Sequence, residues 1–161
     1  MYTQDEFSEL KSKLARRWWI VSLPTAIALI AAIVLFVIGQ NNRSEHMWMV
    51  TAALTVLSGG CFAFFYGVYV RPVRLYTRHV SYMLNGRKRE TTGVFKTFAD
   101  EMSDKEGIEC YALLLNIGQT DAEEDDRLFY YDAHKPKPSF PLGTSVTVLS
   151  NDRMVADMQA A

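Results

Sequence analysis

Cysteine is scarce in this chain, and the two that occur stand in different surroundings: Cys61 in a long apolar run, Cys110 in a mixed polar stretch. Without a C-x-x-C pair, neither a disulfide framework nor a structural zinc site is expected. Histidine is equally thin. His46, His79 and His134 are scattered, with no carboxylate at ligand spacing, so the sequence offers no metal site. No G-x-S-x-G, no Walker loop and no G-x-G-x-x-G occurs. The sequence therefore points to a non-enzymatic protein with no catalytic residue, no cofactor and no metal.

Charge is missing over long distances. Trp18 to Ile38 holds no Asp, Glu, Lys or Arg over 21 positions, and Met47 to Val70 holds none over 24. As helices rising ~1.5 Å per residue, both exceed the ~30 Å of a bilayer's hydrocarbon core. Neither keeps a polar face, and the break between them, Gln40 to His46, is short enough to force antiparallel neighbours. Residues 18–70 thus read as a two-helix transmembrane hairpin. A signal peptide is the rival for the first run, with Lys11, Lys13, Arg16 and Arg17 as its positive leader. The run is longer than the ~7–15 residues of a signal core and ends in LFVIG, which favours an uncleaved span.

Charge elsewhere is distributed unevenly. Residues 1–90 carry eleven Lys/Arg against five Asp/Glu, and residues 91–161 carry six against thirteen, so +6 is followed by −7. Four basic residues precede the first span, Arg43 alone lies in the loop, and six follow the second span: Arg71, Arg74, Arg78, Arg87, Lys88 and Arg89. The positive-inside rule then puts both termini in the cytoplasm, in an integral membrane protein of a bacterial cytoplasmic membrane. The same six are the candidate contacts to anionic lipid headgroups. Trp18, Trp19, Trp48, Tyr66 and Tyr69 sit where interfacial aromatics belong.

Small residues recur at four-residue spacing, Ala28 and Ala32 in the first span and Gly59, Ala63 and Gly67 in the second. Such spacing lets helix backbones approach closely. Packing within the hairpin is the first reading, a homo-oligomer contact the second. Before the spans, residues 1–17 place Phe7, Leu10 and Leu14 on one helical stripe, either an amphipathic surface helix or a solvated lead-in.

Residues 71–89 read as a basic juxtamembrane helix and linker: Val73, Tyr76, Val80 and Met83 recur at helical spacing and Asn85-Gly86 is a stop signal. Arginine-proline, amphipathic helix and glycine together resemble the first half of a HAMP linker over about sixteen residues, though no second amphipathic helix and no output domain follows.

Residues 90–161 read as an acidic β domain. Ile108 to Gly118 is the strongest strand, apolar on both faces in its middle. Arg127 to Asp132 follows, then Thr144 to Ser150 and Arg153 to Met158 about an Asn151-Asp152 turn. Gly93 to Met102 fits helix or strand; a fifth strand would let a small barrel close, which favours strand. His134 to Pro141, with three prolines, is an extended connector. Asp121 to Asp126 reads as a solvated loop, lacking the glycine and ligand alternation of a calcium site. Phe129, Tyr130 and Tyr131 could stack on bases, but the domain's negative charge opposes nucleic acid.

Membrane spans followed by such a domain, with the phrase PLGTSVTVLSNDRMVADM, resemble the NfeD-type bacterial membrane proteins. That resemblance implies an OB-like five-stranded barrel and a scaffold role beside an unidentified membrane or cytosolic protein. Expected functions are thus a non-catalytic interaction module, an accessory subunit of a transporter or protease complex, or a relay through the juxtamembrane helix.

Overall fold

A computed structural model describes residues 1–41, 45–118 and 123–161. The acidic residue Asp121 and the loop arginine Arg43 lie outside the described residues. Two compact units emerge, one of Leu10–Arg74, the other of Met1–Glu9 with Leu75–Ala161.

The first helix, α1, spans Gln4–Asn41. It starts on a side-chain N-cap. Thr3 Oγ1 accepts from the Glu6 amide at 3.2 Å, with Asp5 and Glu6 placing negative charge in the first turn. The amphipathic lead-in and the first apolar run are thus one continuous helix, with Pro24 inside it. The second helix, α2, is Glu45–Phe65; a π-helical turn follows at Tyr66–Val70, and α3 runs Arg71–Asn85. Pro72 explains where the turn widens. It has no amide to give the carbonyl four residues back and its ring crowds that carbonyl, which a wider turn relieves.

Both α1 and the helix from His46 to Asn85 are long and apolar enough to cross a membrane. In the helical unit the apolar side chains point outward: Ile27, Ile30, Ile33, Val56, Leu57 and Phe64 are each at least 60% exposed. Four hydroxyls turn inward onto their own helix. Thr25 Oγ1 donates to Val21 O at 3.0 Å, Thr51 to Met47 O at 2.9 Å, Thr55 to Thr51 O at 2.8 Å and Ser58 to Thr55 O at 3.1 Å. That is how a helix in an apolar medium satisfies polar side chains. Trp18 meets Phe62 and Tyr66 edge-on with ring centroids at 6.3 and 5.9 Å. At the hairpin's closed end a Cβ on Gly39 would lie 2.5 Å from that of Met47, so only glycine fits.

The other unit has a core of its own. Five strands, β1 Arg89–Lys105, β2 Ile108–Asn116, β3 Asp126–Asp132, β4 Ser145–Asn151 and β5 Met154–Ala160, pair in the order β1-β2-β3-β5-β4. The ambiguous stretch Gly93 to Met102 is strand, lying within β1. This long strand pairs with β4 over Arg89–Val94 and with β2 from Val94 onward. Register shifts after Phe95 and Phe98 bend it between the two partners. β3 meets β5 in parallel at Tyr130 and Met154. Inward residues form one cluster of Phe95, Phe98, Leu113, Leu115, Phe129, Tyr131, Val146, Val148 and Val155.

A second cluster lies on the outside of the sheet. Met83 of α3 packs with Ile108, Cys110, Met154 and Ala156, and Tyr2, Tyr76 and Tyr130 pack against them. The stripe of α3 therefore faces protein, with Val80 and Met83 buried. β2 is apolar on both faces because both are covered.

Candidate functional site

The only fully buried carboxylate among the described residues ends β3. Asp132 pairs with Cys110 across the β2–β3 ladder, on the face toward the second cluster. Its Oδ2 accepts hydrogen bonds from the hydroxyls of Tyr2 at 3.0 Å and Tyr76 at 2.9 Å. Its Oδ1 accepts from the backbone amide of His134 at 2.9 Å and from His134 Nδ1 at 3.1 Å. Four donors occupy the four lone-pair directions of a carboxylate, which is what allows it to be buried.

Tyr2 spends its one proton on Asp132. Its oxygen is then left to accept from His79 Nε2, 3.0 Å away. Lys135 Nζ closes the outer side, donating to Glu6 Oε2 at 2.6 Å and lying 4.8 Å from the centre of the Tyr2 ring. One cluster so joins the residues before α1, the α3 face, the end of β3 and the proline connector. Each element supplies what its local structure presents: the capped turn brings Glu6, the helix brings Tyr76 and His79 three apart on one face, and the turn after β3 brings His134 and Lys135 back.

The electrostatics follow from burial. Tyr2 and Tyr76 are pushed well above the ordinary phenol value, first by desolvation and then by the Asp132 charge. His79 is pushed below the ordinary imidazole value by burial, which outweighs the opposite pull of Asp132 and Glu106. Burial raises the Cys110 thiol to about 12, and its Sγ–H rests on Ile108 O at 3.5 Å. A buried thiol at that value is inert rather than nucleophilic. The phenols and His79 are neutral near pH 7, both phenol protons are committed to Asp132, and what the arrangement does chemically is clasp four segments together.

The three histidines, scattered in sequence, are not all scattered in space. His79 and His134 meet around Asp132, while His46 is exposed on α2. Among the described residues no group of three His, Cys, Asp or Glu side chains is arranged to hold a metal ion. The acidic stretch is split as well: Glu123, Glu124 and Asp125 form a short 3-10 turn, whereas Asp126 binds Lys96 at 3.0 Å and Asn116 Nδ2 at 2.8 Å. Those two partners, Asn116 first, hold the Asp126 carboxyl below its ordinary value.

The candidate helix-packing residues separate into two groups. Ala32 is buried and Ala28 half-buried, but Gly59 and Ala63 are exposed and Gly67 half-exposed. A Cβ added to Gly59 or Gly67 would meet nothing within 4 Å, so these glycines make no close approach to another element among the described residues. The candidate headgroup residues Arg71, Arg74, Arg78, Arg87, Lys88 and Arg89 are all exposed. Arg74 also donates to the Tyr66 hydroxyl at 2.8 Å, and Arg89 opens β1 rather than ending a linker.

The chain matches no protein-family model, no curated protein and no solved structure.

Proposed function

We propose that this chain is a non-catalytic integral membrane protein with two spans and both termini in the cytoplasm, whose β domain is an OB-like barrel serving as a protein-interaction or scaffold module. The observation that carries this reading is the contrast in exposure. One unit turns its large apolar side chains outward and bonds four hydroxyls back to its own helices; the other has a core of its own. A lipid medium suits the first and an aqueous one the second. The strand order, in which β4 returns to β1, supports the OB-like barrel, in keeping with the NfeD-type resemblance. The exposed basic collar from Arg71 to Arg89 supports contact with anionic headgroups and the cytoplasmic placement.

The alternative, an accessory subunit held through its spans, draws support from the open face at Gly59 and Gly67. Photo-crosslinkers in native membranes separate the two. Adducts from the exposed Leu128 and Leu142 of the β domain are expected for the interaction module, whereas adducts confined to positions 59 and 67 would replace it with the accessory subunit.

A further inference from the structure

A cavity of about 260 Å³ lies between α3 and the tips of the β1–β2 and β4–β5 hairpins. Its walls are of two kinds. Met83, Ile108 and Met154, members of the second core cluster, give it apolar surface, and two methionines can adapt to different occupants. Four charged residues line it as well, the cations Arg78 and Lys105 and the carboxylates Glu106 and Asp152, beside the neutral polar Tyr82 and Asn151.

Among the described residues none of these four is ion-paired. Arg78 instead donates to Tyr82 Oη at 3.3 Å, and Lys105 lies 5.3 Å from the centre of the Tyr130 ring. Both carboxylates are carried on left-handed backbone, Glu106 at φ 57° and Asp152 at φ 48°, where glycine would be less strained. His79 also lines the cavity, and its ring bonds to Tyr2 of the Asp132 cluster.

We propose that this cavity binds a small zwitterion, a molecule carrying an ammonium and an anionic group on a short apolar stem. Two cations and two carboxylates balance to zero, so a lone anion meets repulsion from Glu106 and Asp152 and a lone cation meets it from Arg78 and Lys105. A zwitterion answers both signs, and its stem covers the methionine and isoleucine surface. At about 260 Å³ the cavity has room for a small molecule of this kind. A free apolar amino acid and the headgroup of an ethanolamine phospholipid share this chemistry.

The test uses the full chain in detergent, with thermal unfolding followed as each probe is titrated. Leucine and glycerophosphoethanolamine are the two zwitterion arms; inorganic phosphate and isopentylamine supply each charge alone. A saturable rise in midpoint with leucine assigns a free amino acid, and one with glycerophosphoethanolamine assigns a headgroup. Arg78→Gln or Asp152→Gly should weaken the responding probe at least tenfold, the glycine being compatible with the left-handed turn, while Arg127→Gln, exposed on β3 and outside the cavity, leaves it unchanged. No response to either zwitterion, an equal response to phosphate or isopentylamine, or full binding retained in both variants would overturn the proposal.

Discussion

The helical unit and the β unit bury opposite things. Between Leu10 and Arg74 the large apolar side chains are outside and each of four hydroxyls is tied to its own helix; in the β unit the apolar side chains are inside and one carboxylate is buried with four donors. The difference teaches where stability resides. In the first unit backbone and hydroxyl bonds close locally, so single substitutions on the outer face disturb little. In the second, Asp132 is held by residues remote in sequence, Tyr2 being 130 positions away, so one change loosens several segments.

The comparison can be broken hardest at Asp132. Asp132→Ala strips the acceptor from two phenols, an imidazole and an amide, and should cost at least ~3 kcal/mol, on the order of two charge-assisted hydrogen bonds. Thermal unfolding of the detergent-solubilised chain would read this as a drop of more than ~12 °C in the β unit. A drop of under ~4 °C would mean the cluster is incidental. The same logic sharpens the expectation that residues 90–161 fold alone. That fragment lacks Tyr76, His79 and Met83, so it should melt well below a fragment that begins just before α3. Equal midpoints would show that the outer cluster adds nothing.

Tyr76→Phe removes one donor and keeps the packing, with an expected cost of about 1.5–3 kcal/mol. A cost near zero in chemical denaturation would remove the hydroxyl from the account. The pH dependence tests the same cluster without mutation. His79 has a folded value below its unfolded 6.5, so the unfolded state binds more protons on acidification, and stability is full above about 6.5 and declines below it. Tyr2 and Tyr76 have folded values above the unfolded 10.0, so stability is full below that pH and is lost as pH rises past it. The acid decline should shrink in His79→Gln; an unchanged profile would remove His79 as its source. The smallest effect belongs to the helical unit. Gly59→Ala has open space, and alanine favours helix, so stability should change by less than ~1 kcal/mol. Loss of a crosslinkable dimer in that variant would show that the open face serves a second copy.

Much of the β architecture was legible because Val146 and Val148 alternate with less buried neighbours and because β2 is apolar on both faces. The two apolar runs were legible because nothing interrupts them. The full extent of β1 was not. Its 17 residues shift register twice, which breaks the period of two, and it opens on Arg89, which reads as the end of the linker. The Asp132 cluster was hidden for a different reason. Its donors stand at positions 2, 76 and 134, far apart in sequence, and only Tyr76 lies on a recognisable stripe. The one available hint was the doubly apolar β2, which requires a second covering layer, and α3, whose stripe had no assigned partner.

The proposal that lipid is the solvent of one unit and cytoplasm that of the other is tested most directly by paired reporter fusions. A reporter active only outside the cytoplasm is placed after Ala161 in one chain and between Gln40 and His46 in another, in the bacterial inner membrane. The account predicts activity from the loop position and none from the C-terminal position. Activity at Ala161, or silence at both sites in a stably produced protein, would contradict it.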